Sequence, residues 1–157
     1  MTDHLRLIAR QLAKLQRMRE YLAHSFERCS DIFPVMDWQA MSMEQHEMLA
    51  AYRVRFSEFQ EHLGKTMRAV AIEEEVDVER FGSVLALMEK LDVLESADRW
   101  KMIREIRNAV NHEYEEDAGR LSQFFTEMFK ATPELFACYE KLAFFCAAAY
   151  GLGTPPN

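Results

Sequence analysis

Apolar residues fall at helical intervals along almost the whole chain, and this constrains the fold more than any other feature. Leu5, Ile8, Leu12, Leu15, Met18, Leu22 and Phe26 are spaced three or four apart. They make one apolar stripe with Arg, Lys and Gln on the opposite face, the pattern of a long amphipathic helix. Leu49, Tyr52, Phe56, Phe59, Leu63, Met67 and Val70 repeat it. Period-two alternation, the signature of half-buried strands, does not occur. Five Gly and four Pro in 157 residues leave few places where the chain can turn back. The prediction is an all-α, up-and-down bundle of five or six helices. One domain over residues 1–150 fits the length, and residues 151–157, rich in Gly and Pro, read as a tail.

Local signals set the expected boundaries. Ser42 with Gln45 fits a capping box that starts the second long helix. The run Glu73-Glu74-Glu75 is unfavourable beside helix C-terminal carbonyls, which places the end of that helix there. Phe81, Val84, Leu85, Met88 and Leu91 predict a shorter helix. Ser96 or Asp98 then caps another, whose inward residues are Trp100, Ile103, Ile106 and Val110. Leu121, Phe124, Phe125, Met128 and Phe129 mark a further helix. Thr132-Pro133 reads as the cap and first residue of the last one. From Leu142 to Tyr150 that helix is apolar on nearly every face, which predicts a central position or an interface between copies. Residues 30–41 break the pattern at Ser30-Asp31 and Pro34. Their apolar members, Ile32, Phe33, Val35, Met36 and Trp38, predict a loop packed over one end of the bundle.

Charge narrows the function. The formal net charge is −7, so a protein that coats nucleic acid generally is excluded, and any RNA contact must come from a local patch or a shared cleft. Three Cys without C-x-x-C spacing provide neither a disulfide framework nor a zinc site. No apolar run reaches about 18 residues, so no membrane helix is expected. The charged, amphipathic N-terminus is unlike a secretory signal. A cytoplasmic protein without cofactor is the expectation. His46 and His62 stand sixteen apart among glutamates, a spacing that does not converge on a metal, and Met residues at helical spacing are core filler.

The stretch Arg107-Asn108-Ala109-Val110-Asn111-His112-Glu113-Tyr114 collects a permanently charged guanidinium, an amide, an imidazole that titrates near neutrality and a phenol. Arg presents a planar fork of donors suited to phosphoryl oxygens. His gives and takes protons near pH 7. On a continuous helix Arg107 and Tyr114 project within about 20° of each other, whereas His112 lies roughly 140° from Arg107. Convergence therefore needs a break near Asn111, a residue that tolerates the left-handed conformation, with Asp117 capping the next helix. Otherwise a second copy must supply the partner.

The longer string, Arg-Asn-x3-His-x-Tyr, occurs once. It resembles the motif of HEPN domains (higher eukaryotes and prokaryotes nucleotide-binding), in particular the HepT-like branch. Its specific part covers eight residues, with Arg107, Asn108, His112 and Tyr114 matching. The resemblance implies a helical homodimer with two motifs facing one cleft. It also implies a metal-independent endoribonuclease toxin, leaving 2′,3′-cyclic phosphate and 5′-hydroxyl ends, with Arg107 and His112 catalytic and Asn108 supporting. A cognate minimal nucleotidyltransferase antitoxin would silence it by transferring AMP to Tyr114. The alternative is a non-catalytic adaptor that presents a substrate to such a nucleotidyltransferase, a reading favoured by the acidic run from Glu113 to Asp117. A helical dimerisation scaffold without a site is the third possibility.

Other pairs carry less. Arg19 and His24 repeat the Arg-x4-His spacing on the first helix and read as a solvated face. Asp98 and Lys101 precede the motif by two turns and are read as a solvated helix start that could also border its cleft.

Overall fold

The computed structural model describes residues 1–111 and 117–153. Five helices account for most of them: α1 Asp3–Arg28, α2 Met43–Glu73, α3 Phe81–Lys90, α4 Ala97–Val110 and α5 Ala118–Tyr150. No strand occurs among the described residues. The all-α bundle is thus as expected, with five helices.

Cross-links fix the directions. His4 near the start of α1 meets Glu73 at the end of α2, at 2.9 Å, and Ser25 near the end of α1 accepts from Arg55 at 2.8 Å. The pair is antiparallel. Asn111 at the end of α4 reaches Ser57 of α2, while Trp100 lies over Gly64. Tyr150 at the end of α5 bonds Glu74. The long helices α1, α2, α4 and α5 therefore alternate up and down, and short α3 lies within the connection from α2 to α4. A single contiguous core runs through all five helices, including Ile8, Leu15, Leu63, Met67, Met88, Phe125 and Leu142.

The caps follow the local chemistry. Ser42 and Gln45 exchange both bonds of a capping box, at 2.9 and 3.1 Å. Ser96, rather than Asp98, caps α4. Asp117 caps α5 by accepting from the Arg120 N–H at 3.0 Å. Beyond Glu73 the chain turns through Glu75 at φ 61°, a left-handed conformation that ends the helix.

Three expectations change. Leu121–Phe129 and the segment after Pro133 are one helix of 33 residues, not two. Pro133 has no N–H to give the Phe129 carbonyl, yet the helix continues through it. Thr132 is fully buried, donates to the Met128 carbonyl at 2.9 Å and meets the Tyr52 hydroxyl at 2.5 Å. A hydroxyl so engaged is not capping a new helix. Arg19 is not on a solvated face either. It pairs with Glu140 at 2.7 Å and lies over the Phe136 ring at 4.6 Å, clamping α1 to α5. His24 is exposed as expected. Finally, the tail does not begin at Gly151. Gly151, at φ 67°, closes α5, and Leu152 is buried with its N–H on the Cys146 carbonyl. Residues 154–157 lie outside the described residues.

The apolar loop packs as predicted, with Phe33 stacked on Phe129 at 4.5 Å and Trp38 on Phe125 at 5.0 Å. Met36 alone stays out, 87% exposed. The last helix has one face in the core, through Leu142 and Cys146, and another that leaves Phe144 62% exposed. Cys29, Cys138 and Cys146 are buried free thiols. No described helix is long and apolar enough to cross a membrane.

Candidate functional site

Helix α4 is placed by its inward side and displays the motif arginine on its edge. Trp100, Ile103, Ile106 and Val110 are all buried, the four residues expected from spacing. Arg99 locks the helix to α5 by two Nε contacts of 2.9 Å to the Glu134 carboxylate, and this pairing raises its pKa. The far end is bolted to α2. Asn111 accepts from Arg53 Nη1 at 3.2 Å and donates through Nδ2 to Ser57 Oγ at 3.2 Å.

The helix stops at Val110, where the motif geometry requires a break. The means differs from expectation: Asn111 caps it with φ −80° and ψ −5°, right-handed rather than left-handed. Side-chain bonds to α2, not backbone inversion, hold this end.

Arg107 is half-buried in the last turn of α4, with Asn108 exposed beside it. Arg107 Nη2 donates to Asn108 Oδ1 at 3.1 Å. Among the described residues no carboxylate pairs with Arg107. Asn108 thus holds the guanidinium without neutralising it. His112 and Tyr114 lie outside the described residues, as do Glu113, Glu115 and Glu116. Asn111 and Asp117 bracket them at the α4–α5 corner.

Sequence reasoning missed a groove between α2 and α4, of about 240 Å³, into which Arg107 opens. Lys65 and Arg68 enter it from α2 and Arg104 from α4, above Phe81 and Trp100. Arg104 stands one turn before Arg107, and Lys65 and Arg68 are likewise one turn apart, so each pair shares a helix face. That spacing is visible in the sequence. That the two pairs meet is not, because it depends on how α2 and α4 pack. At the floor, a Cβ on Gly64 would lie 3.4 Å from Trp100 and 3.6 Å from Phe81, ordinary contact distances, so α2 packs closely on both rings here. Nearby, His62 has its pKa lowered by burial first and by Lys14 and Lys65 next. Asp98 and Lys101 are exposed and do not line this groove.

Other candidates resolve into structure. His46 packs edge-on against Trp38 at 4.9 Å. Among the described residues no group of three His, Cys, Asp or Glu is placed to hold a metal ion.

The site can therefore offer a guanidinium that no described carboxylate neutralises, followed in the chain by an imidazole and a phenol, beside a groove of cations. Set against known proteins, the chain matches no family model, no curated protein and no solved structure.

Proposed function

We propose that the α4–α5 corner is the site of a HEPN-type, metal-independent endoribonuclease, the toxin of a pair with a minimal nucleotidyltransferase. In this reading the RNA 2′-hydroxyl loses its proton and its oxygen attacks the adjacent phosphorus. The bond to the 5′-oxygen breaks, that oxygen takes up a proton, and a 2′,3′-cyclic phosphate remains. His112 moves the proton at the 2′-oxygen or at the leaving oxygen. Arg107 stabilises the charge that grows on the phosphorane oxygens, and Asn108 keeps the guanidinium aimed. The single observation that carries the reading is Arg107 itself. It is ordered by Asn108 and, among the described residues, meets no carboxylate, in the last turn before the segment that holds His112.

The protein would act in the cytoplasm as a homodimer that brings two Arg107/His112 sets to one cleft. The exposed Phe144 on α5 supports a second copy. The test is cleavage of single-stranded RNA by purified protein in excess EDTA, with products carrying 2′,3′-cyclic phosphate ends. Protein that leaves RNA intact yet binds the nucleotidyltransferase would instead be an adaptor subunit, the reading favoured by the acidic run from Glu113 to Asp117.

Tyr114 is the proposed switch. An unaided phenol, with pKa near 10, is a poor nucleophile, so the partner must supply a base and metal-bound ATP. The phenol oxygen attacks the α-phosphorus of ATP and pyrophosphate leaves. The new phosphate and nucleoside would stand against Arg107 and exclude RNA by charge and volume. After incubation with the nucleotidyltransferase, ATP and Mg²⁺, mass spectrometry should find AMP increments on Tyr114. They should be absent from Tyr114→Phe and should coincide with loss of cleavage. Full cleavage by the Tyr114-modified protein would refute the switch.

A further inference from the structure

The groove between α2 and α4 has a charge balance unlike that of the chain. The protein carries a net −7, yet among the described residues this groove gathers Lys65, Arg68, Arg104 and Arg107 against one carboxylate, Glu61. Glu61 is engaged with Lys65, 3.6 Å away. Among the described residues Arg68 and Arg104 have no hydrogen-bond or ion-pair partner. Like charges gathered on facing helices repel, and an anion between them relieves that repulsion.

Gln60 lines the groove from the core side: it is only 2% exposed, and its Oε1 is closed to solvent.

Shape and direction point to a polymer. Since α2 and α4 are antiparallel, Arg107 stands at the end of the groove beside the motif corner and Arg68 at the far end. Seven residues of helix separate Glu61 from Arg68 and Trp100 from Arg107, so the groove is about 10 Å long. Cations one turn apart, roughly 5–6 Å between Cβ atoms, form a row and not a cage around one ion.

We propose that this groove is a backbone track for single-stranded RNA, in which Lys65, Arg68 and Arg104 hold the phosphates of nucleotides flanking the one addressed by Arg107. The identity of the strand rests on the ribonuclease reading; the row of cations does not. The track lets an acidic protein hold RNA through one local patch and runs towards the end of α4, which His112 follows in the chain.

The test is fluorescence anisotropy with a labelled, non-cleavable 2′-O-methyl RNA of about twelve nucleotides. Arg68→Ala/Arg104→Ala should weaken binding roughly tenfold near physiological salt and flatten the slope of log affinity against log salt by about 1.4, two single-strand phosphates at about 0.7 each. A charge-matched control, Arg10→Ala/Arg17→Ala on the exposed side of α1, should move neither quantity. An unchanged slope in the groove variant overturns the track, as does an equal loss in the control. Tripolyphosphate that binds as tightly as the oligonucleotide overturns the polymer assignment. The two readings fail separately. If groove-dependent binding occurs but unmodified RNA is never cut, the track stands and the ribonuclease falls. If RNA is cut while the groove variant binds and cuts like wild type, the track falls alone.

Discussion

Arg107→Ala protein should cleave RNA about 10²–10³-fold more slowly than wild type at saturating substrate, the scale set by losing one preorganised charge-stabilising group. Its thermal transition should stay almost in place. Among the described residues Arg107 gives up one exposed bond, to Asn108 Oδ1, and surface changes of that kind usually fall within about 0.5 kcal/mol. Arg107→Lys should recover part of the rate, because an ammonium restores the charge without the planar fork. His112→Ala should cost roughly 10²–10⁴-fold, the contribution of a positioned acid or base. The readout is the single-turnover rate in EDTA, with circular dichroism melting alongside. Cleavage that survives both replacements would remove the ribonuclease reading. Loss of cleavage accompanied by a large drop in Tm would show that Arg107 supports the fold instead.

The largest stability effect should come from the seam between α2 and α5. Phe59 is fully buried and lies edge-on to Phe136 at 6.1 Å and to Tyr139 at 5.9 Å. Phe59→Ala should cost about 3–5 kcal/mol, from lost transfer energy and the cavity left behind. At roughly 2–4 °C per kcal/mol for a chain of this length, Tm should fall by about 6–20 °C. Tyr52→Phe provides the contrast. It deletes the hydroxyl that meets Thr132, but the Thr132 hydroxyl keeps the Met128 carbonyl. The expected cost is about 1 kcal/mol. Met36→Ala, on the exposed loop, should be nearly neutral. Urea denaturation of the three variants ranks them. A Phe59→Ala protein as stable as wild type would mean that α2 and α5 do not pack through this ring.

Features encoded within one helical turn are legible in the amino-acid sequence by itself. Ser42, Ser96 and Asp117 cap their helices because each side chain reaches an N–H three residues on, a relation that needs no tertiary context. The inward face of α4 follows from spacing for the same reason. Local signals mislead where distant contacts decide. Thr132-Pro133 carries a sound local start signal, but the hydroxyl is spent on Tyr52, eighty positions away in sequence. Arg19 reads as a surface cation until α5 brings Glu140 beside it. In the candidate site, Arg107 and Asn108 can be named from the motif, whereas the groove cannot. Lys65 and Arg68 join Arg104 only through the packing of α2 on α4.

The three buried thiols make the native protein its own clock for unfolding. Burial pushes the Cys29 thiol up to about 11 and those of Cys138 and Cys146 to about 12. At pH 8 only about one in a thousand, or fewer, is thiolate, the form that attacks disulfides and alkylating agents. Labelling must then wait for the structure to open. The reporters are spread along the fold: Cys29 at the corner after α1, Cys138 midway along α5 and Cys146 in its closing turns. Peptide-resolved alkylation under native conditions should give three separate rates, with the order of modification tracing which end of the bundle loosens first.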